Sequence, residues 1–322
     1  MVVEVPVWMR KAWDVERSRR TKRAGLVALL ALTAVLVSGC STEEVVRFGW
    51  PQGITPQAER MRELWSWSVI TALAVGVIVW GLIFWTTTFH RKKEGSPEFP
   101  RQTQYNLPLE IIYTIVPFVM VAVLFYFTVI TQNFVDKKVA NPDVQVNVTA
   151  FQWNWDFSYP GHTTPDGTDV STVGSSTEIP LLVVPTGKTV QFTLASQDVI
   201  HGFYVPEFLF KRDVFPRPDR NNTDNVFQVQ VDQQGAFVGR CTEMCGTYHS
   251  MMNFELRAVP DNIYQQYVGL RSKANTATGA PYTAAEALSE IGCGDLCSPI
   301  ATKTHPFNTD TTARSASVAT GR

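Results

Sequence analysis

Long apolar runs occupy the first part of this 322-residue chain, and alternating apolar and polar positions follow them. Two runs, Ser66–Phe89 and Leu109–Gln132, carry at most one charged residue each. Both are long enough to cross a bilayer, which needs about 20 residues. The basic connection Arg91–Lys93 is expected in the cytoplasm, because cytoplasmic loops carry an excess of Lys and Arg. The pattern predicts a transmembrane hairpin, and it places the chain after Phe134 outside the cytoplasm.

A third apolar run, Ala24–Val37, is too short to span the membrane. It follows a cluster of arginines and ends in Val37-Ser38-Gly39-Cys40. A basic segment, a short apolar segment and small residues are typical of a secretory signal. The last four residues resemble a bacterial lipobox, which predicts that Cys40 becomes a lipidated N-terminus. A plain signal anchor with an incidental cysteine is the alternative.

The residues after Asp143 alternate with period two, which is typical of half-buried strands. The apolar positions change parity at Thr149-Ala150, and we expect a bulge or bend there. Many short strands without intervening helices predict an antiparallel sandwich or a Greek-key barrel. Beyond the run through Tyr159, the predicted strands are Pro180–Val184, Thr189–Ala195, Asn225–Val231, Gly235–Arg240 and Asn253–Val259.

The remaining segments of the outer half are polar. His162–Glu178 and Pro216–Asp224 are predicted to be insertions rich in turn-forming residues, and the last fifteen residues are predicted to be disordered. The predicted organisation is a signal peptide with lipobox (1–39), a mature N-terminal segment (40–64), a transmembrane hairpin (65–134), an outer β domain (140–262) and a partly disordered C-terminal extension (263–322).

Charge excludes two broad classes of protein. The chain has 28 Lys and Arg against 29 Asp and Glu, and charged residues make up only 18% of it. Ordinary soluble proteins have about 25%. A nearly neutral, charge-poor chain is not expected to bind nucleic acid or to be wholly disordered, whereas it suits a protein held in a lipid bilayer.

The chemistry is concentrated in a short segment between two predicted strands. Cys241 and Cys245 are four residues apart, and His249 and Met252 follow, while His201 lies upstream. Soft thiolate and thioether donors combined with imidazole suit copper. Two thiolates can bridge two metal ions, and each ion would then receive one imidazole.

Three other interpretations of the same residues stay open. The two cysteines could form a disulfide, since the domain is predicted to be exported. Two Cys and two His could also hold a structural zinc ion, although zinc has no use for the trailing methionine. Met252 could be an ordinary core residue.

The pattern Cys-x-Glu-x-Cys-Gly-x-x-His-x-x-Met, with Asp-x-x-His at residues 198–201, resembles the dinuclear copper centre CuA of cytochrome c oxidase subunit II. The likeness runs from the hairpin to about Pro260, and it implies a cupredoxin-like outer domain. The implied ligands are the bridging thiolates Cys241 and Cys245, the imidazoles of His201 and His249, the thioether of Met252 and the backbone carbonyl of Glu243.

The same resemblance implies roles for three further groups. Trp153, in Gln-Trp-Asn-Trp, matches the residue that receives electrons from the cytochrome c haem. Glu110, in Glu-x-x-Tyr-Thr-x-x-Pro, matches the acid at the entrance of a proton path into subunit I; an interfacial acid at a helix N-terminus is the alternative. The Glu243 carboxylate would reach a magnesium ion at the border with subunit I.

The implied function is electron input to a respiratory oxidase, with subunits I and III as partners. The insertions and the lipobox resemble actinobacterial members, in which the donor is a membrane-held cytochrome c of a bc complex. A copper-free or zinc-bound structural subunit is the alternative. Cys293 and Cys297 lack the Cys-x-x-Cys-His spacing of haem attachment, so a local disulfide or a free pair is expected there.

Overall fold

The computed structural model describes residues 25–27, 44, 45, 47–175, 177–220 and 222–304. The chain divides into two compact units, Met1–Trp50 and Pro51–Arg322, and the elements discussed below all belong to the second. Cys40, nearly all of the predicted signal segment and the last fifteen residues lie outside the described residues, so the predictions made for them stay predictions.

Two long helices form the predicted hairpin. Helix α1 spans Pro56–Phe89 and helix α2 spans Leu107–Val135, and both are long and apolar enough to cross a membrane. Helix α1 begins well before its apolar run, because the Thr55 side chain accepts a hydrogen bond from the Ala58 N–H. A threonine cap followed by proline at the first helical position is a favourable helix start.

Ten strands form two five-stranded sheets that pack face to face. The first sheet has the order β3-β2-β1-β5-β8 and the second has the order β4-β10-β9-β6-β7. The strands are β1 Val144–Phe151, β2 Asn154–Thr163, β3 Asp169–Val173, β4 Leu181–Pro185, β5 Thr189–Ser196, β6 His201–Tyr204, β7 Lys211–Val214, β8 Val226–Gln230, β9 Gly235–Cys241 and β10 Asn253–Val259.

The five strands predicted from residue 180 onward are confirmed, as is a β domain after two membrane helices, but not every pair of neighbouring strands is antiparallel. Strand β1 runs parallel to β5, and β4 runs parallel to β10. Strand β3 lies inside the segment predicted to be a polar insertion. Alternation reports which face a residue occupies, and it carries no information about the direction of the neighbouring strand.

The bulge or bend predicted at Thr149-Ala150 is not found there. Strand β1 pairs with β2 without interruption as far as Phe151 and Asn154, so the chain reverses at Gln152 and Trp153. The change of parity marks this tight turn between two strands. The turn carries Trp153 to one end of the sandwich, while the aromatic residues after it enter the core.

Two short helices follow the sandwich. Helix α3, Asp261–Arg271, buries Tyr264 and Tyr267, and helix α4, Ala284–Ile291, buries Leu288. Cys293 and Cys297 are joined by a disulfide. We call residues 293–304 the C-terminal strap.

The C-terminal strap is fastened to an ion pair that is completely buried on β10. The Arg257 guanidinium donates to the Glu255 carboxylate and to three strap carbonyls, those of Leu296, Ser298 and Ile300. The other Glu255 oxygen accepts from two strap N–H groups, both at 2.7 Å. Both side chains are fully buried. The pair thus satisfies five backbone groups of a segment that has little regular structure of its own.

Candidate metal centre

One end of the sandwich gathers the residues of the predicted copper motif. Cys241 ends β9, and Cys245 lies in the following loop. His249 opens a short 3-10 helix, His249–Met251, and Met252 immediately precedes β10. His201 is the first residue of β6, which pairs with β9. The pairing of these two strands places the distant histidine beside the cysteine loop.

The two cysteine sulfurs face each other without a covalent bond. The Cys241 Sγ and Cys245 Sγ atoms are 3.8 Å apart, and both cysteines are free. A disulfide requires about 2.05 Å. The structure therefore favours a pair of thiol ligands at these positions over the disulfide interpretation.

Each sulfur has one imidazole beside it. The His201 Nδ1 atom lies 3.9 Å from Cys241 Sγ, and His249 Nδ1 lies 3.5 Å from Cys245 Sγ. The ligand atoms of His201, Cys241 and Cys245 all lie within 4.8 Å of one another. The arrangement has two halves, each with a sulfur and an aromatic nitrogen.

Two weaker donors complete the cluster, one for each half. The Met252 Sδ atom lies 3.9 Å from Cys245 Sγ, and the Glu243 carbonyl oxygen lies 3.3 Å from Cys241 Sγ. Met252 is also buried in the core, so packing and ligation are compatible at this position. Two sulfurs, two imidazoles, a thioether and a carbonyl form a soft donor set that fits copper.

Asp198 fixes the orientation of the His201 ring. Its carboxylate lies 2.8 Å from His201 Nε2, and it also accepts from the backbone N–H of Gln152 at 2.7 Å. The His201 Nδ1 atom is thereby directed toward Cys241. Ligating histidines almost always carry such a partner on their other nitrogen.

Trp153 is hydrogen-bonded to the cysteine loop. Its indole N–H donates to the Cys245 carbonyl at 3.1 Å, and the Gln152 side chain donates to the same oxygen at 2.8 Å. Gly246 has a φ of +121°, and a Cβ there would lie 3.1 Å from Trp153 Nε1. The loop therefore needs glycine next to Cys245 for the indole to approach. The pattern of the sequence identified Trp153 but not this contact.

Trp155 belongs to the core instead. Its side chain is fully buried, and it packs against Phe157, Phe203 and Phe254. Its indole N–H donates to the Met252 carbonyl at 3.3 Å. Trp155 on β2 therefore connects the hydrophobic core to the backbone of Met252, the last residue of the motif.

The two thiols do not ionise alike when no cation is present. Burial opposes ionisation of Cys241, but hydrogen bonds from His201 and from backbone groups bring its pKa below the ordinary value. Burial and the neighbouring charge of Cys241 raise the pKa of Cys245 to about 12. A bound cation would remove this conflict, because metal binding displaces thiol protons. The sulfur pair is therefore suited to a cationic ligand.

The other predicted site residues are not part of this cluster. Glu110 lies in the first turn of α2, at the end of the helix remote from the β domain. Its carboxylate accepts from the Asn106 N–H at 2.8 Å, and the Asn106 side chain accepts from the Leu109 N–H. This is a reciprocal cap of the helix N-terminus. Among the described residues, the half-buried Glu243 carboxylate accepts no hydrogen bond.

A membrane hairpin joined to a two-sheet domain with a soft metal site defines a class of membrane-anchored cupredoxin-like proteins. Comparison with known families identifies the member of this class. The profile "Cytochrome C oxidase subunit II, periplasmic domain" matches residues 144–259, and the profile of the corresponding transmembrane domain matches residues 44–139. The chain belongs to the cytochrome c oxidase subunit II family.

Relatives similar to this chain along most of its length come from actinobacteria. A probable cytochrome c oxidase subunit 2 of Nocardia farcinica is 53% identical, over 93% of this chain and 92% of the relative. Cytochrome c oxidase subunit 2 of Mycobacterium tuberculosis is 46% identical, over 91% and 90%. The periplasmic domain of cytochrome oxidase subunit II from Bradyrhizobium japonicum is a solved structure with 26% identity and a TM-score of 0.35, over 41% of this chain and 95% of that one.

Membership of this family confirms the predicted class of protein and its predicted location in the membrane. The chain is a subunit of a respiratory oxidoreductase complex, it is held in the membrane by two helices, and its β domain is extracytoplasmic. The group of His201, Cys241 and Cys245 has the donor set expected for copper binding in this family.

Proposed function

We propose that this chain is the electron-input subunit of its oxidase. Electrons arrive from a c-type cytochrome at the outer surface, are held at a two-copper centre, and leave for haem in subunit I, where oxygen is reduced. The observation that carries this proposal is the pair of free sulfurs 3.8 Å apart, each with its own imidazole. A structural zinc site needs only one set of four ligands around one ion.

The residues of the cluster form one donor set. The thiolates of Cys241 and Cys245 would hold the copper together with the imidazoles of His201 and His249, and the Met252 thioether and the Glu243 carbonyl would add weaker donors. When bound, the copper pair supplies a one-electron reservoir shared between two metals. Burial of both sulfurs excludes water from the centre, and Asp198 holds one imidazole in place, so the protein keeps the ligands fixed while the charge changes.

Trp153 is proposed as the residue through which electrons arrive. Its side chain is only partly buried, and a hydrogen bond connects its indole directly to the backbone of Cys245. Tyr248 packs edge-on against the ring, with centroids 4.9 Å apart. The hydrogen bond from the Trp153 indole ends on the backbone of Cys245, which is a proposed copper ligand. This hydrogen bond and the covalent bonds of Cys245 form a short path from the surface ring to the Cys245 sulfur.

The remaining roles are proposed from the same family resemblance. Glu110 would open a proton path into subunit I from the cytoplasmic end of α2, in addition to capping that helix. The Glu243 carboxylate would meet magnesium at the border with subunit I, which fits its lack of a partner within the described part of the chain. Subunits I and III, and a membrane-held cytochrome c of a bc complex, are the proposed partners, and Cys40 is the proposed site of lipidation.

A metal count on the purified oxidase tests the central proposal. We expect two coppers in this subunit, near-infrared absorption, and an electron paramagnetic resonance signal from one electron shared over two copper nuclei. Chelation of the metal should remove the absorption and the turnover together. One zinc ion and no near-infrared band would support the structural-subunit alternative and overturn the proposal.

Replacing Trp153 with alanine is expected to slow electron uptake from the cytochrome and to leave the copper spectrum unchanged. The change removes the surface aromatic group but none of the metal ligands. Stopped-flow reduction of the purified complex measures the uptake rate. The unchanged copper spectrum is the internal control, because it shows that the proposed metal ligands are still in place. A normal uptake rate in Trp153→Ala would contradict the proposed role.

A further inference from the structure

The outer end of α1 is embedded in the β domain. The Ile54 N–H donates to the Glu207 carbonyl at 3.1 Å, and the Ile54 carbonyl accepts from the Asp232 N–H at 2.8 Å. Ile54 and Ala58 are almost completely buried. One membrane helix is therefore joined to the domain at a single compact point.

The outer end of α2 is joined to the domain by contacts of two kinds. Ion pairs connect Asp136 to Arg212 at 3.1 Å and Lys138 to Asp224 at 2.6 Å, and all four side chains are partly exposed. Exposed ion pairs contribute about 0–1 kcal/mol and are screened by salt. They are not sufficient to fix the direction in which the chain leaves the helix.

The second kind of contact is made by Gln228 on β8, whose side chain is 4% exposed. Its Oε1 accepts from the Val139 N–H at 2.7 Å, and its Nε2 donates to the Val139 carbonyl at 3.0 Å. The amide thus binds both backbone groups of one residue, as a neighbouring strand would. The same Nε2 donates to Gln191 Oε1 at 2.9 Å, which fixes the amide on the sheet.

Gln228 also contacts the other membrane helix. Its backbone carbonyl accepts from the Gln57 side chain in the first turn of α1, at 3.4 Å. One residue of the sheet therefore contacts the first turn of α1 and the segment that follows α2. A body attached at one point can turn in any direction about that point, whereas a second attachment leaves rotation only about the line that joins the two points.

We propose that Gln228 is the positioning residue that fixes the orientation of the copper-binding domain on its membrane hairpin. This inference rests on the proposed function for its consequence, which is that the centre stays aligned with its electron acceptor in subunit I. Loss of the amide leaves the segment after α2 held to the domain only by the two exposed ion pairs, while the contacts of α1 at Ile54 and Gln57 remain. Electron exit then slows, whereas electron uptake at the outer surface and the metal site do not change.

The test uses the full-length chain in its assembled oxidase. Gln228→Leu keeps the approximate volume and removes all three side-chain hydrogen bonds. The matched control is Gln266→Leu, the same replacement at an exposed position of α3, which packs against other strands of the domain. A second variant, Val139→Pro, removes the N–H that binds Gln228 and leaves the sheet unaltered.

The first measurement is amide hydrogen exchange of residues 136–143, which does not depend on bound copper. We expect exchange about tenfold faster in Gln228→Leu, since local opening becomes easier. Val139→Pro should show the same increase in the remaining amides, and the control should match the wild type. Unchanged exchange in both test variants would overturn the proposal. If Gln228→Leu fails to assemble, Val139→Pro decides the question.

The second measurement separates the two electron-transfer steps in the holoenzyme. We expect the rate from the copper centre to haem to fall about tenfold, because misplacement by about 1 Å can cost up to 100-fold in a reaction that depends on geometry. The copper spectrum and the rate of reduction by the donor should be unchanged. Faster exchange with normal onward transfer would overturn the positioning role. A wild-type enzyme without two coppers would instead overturn the proposed function.

Discussion

Replacing Cys245 with serine is expected to abolish the two-metal site and the turnover of the oxidase with cytochrome c. A serine hydroxyl stays protonated at neutral pH and is a hard oxygen donor, so it cannot replace a thiolate as a bridge between copper ions. Cys241 and His201 remain, and they can hold at most one ion. We expect the copper content of the subunit to fall from two to one or none, with complete loss of near-infrared absorption.

The second cysteine pair of the chain provides the control. Exchanging Cys293 and Cys297 together for serine removes two sulfurs, one more than the test variant, but leaves the proposed metal ligands unchanged, so both coppers and the spectrum should be kept. The fold of Cys245→Ser is checked by circular dichroism of the complex, because serine is slightly smaller than cysteine. Retention of two coppers in Cys245→Ser would show that Cys245 is not a bridging ligand.

Replacing Arg257 with methionine is expected to produce the largest loss of stability. The change leaves the Glu255 carboxylate buried without its counter-charge, and three carbonyls of the C-terminal strap lose their donor. Removing one partner of a buried pair costs about 3–5 kcal/mol. For a domain of this size that corresponds to a fall of roughly 10 °C in the unfolding temperature. Differential scanning fluorimetry of the full-length chain measures it.

A double replacement distinguishes the buried charge from the lost packing. Glu255→Leu combined with Arg257→Met removes both charges, and apolar replacement of a whole buried pair is often neutral. We expect it to recover most of the unfolding temperature, while the strap stays loose and becomes sensitive to protease. Arg220→Met on the exposed loop is the surface control and should have little effect. An unchanged unfolding temperature in Arg257→Met would show that the pair contributes nothing to folding.

Elements that give a clear local pattern of residues could be predicted from the sequence. The membrane helices appear as long apolar runs, and the candidate metal-binding residues appear because four of them fall within the short segment 241–252. His201 was singled out as the second imidazole, upstream of the cysteines, and the pairing of β6 with β9 explains why it lies beside them. The hydrogen bond from Trp153 to Cys245 could not be predicted, since it depends on a turn that was mistaken for a bulge.

Features that depend on pairing in three dimensions were missed. Arg257 follows Glu255 at a spacing of two on β10, which resembles an ordinary exposed face of a strand. Their burial depends on the C-terminal strap, about 40 residues later in the chain. Gln228 resembles any polar residue in an alternating strand, because its partner is the backbone of Val139. When a side chain binds a backbone group, the order of residue types in the sequence does not indicate the contact.

The early start of α1 sets the height of the β domain above the lipid. The residues between the Thr55 cap and the apolar run at Ser66 add about 15 Å of helix at 1.5 Å per residue. The headgroup layer on each side of a bilayer is about 5–8 Å thick. The first turn of this stretch lies inside the domain, and Val139 binds β8 only four residues after α2 ends, so the floor of the domain lies close to the headgroup layer. Charges on that floor interact with the lipid headgroups, and this interaction should weaken as salt is added.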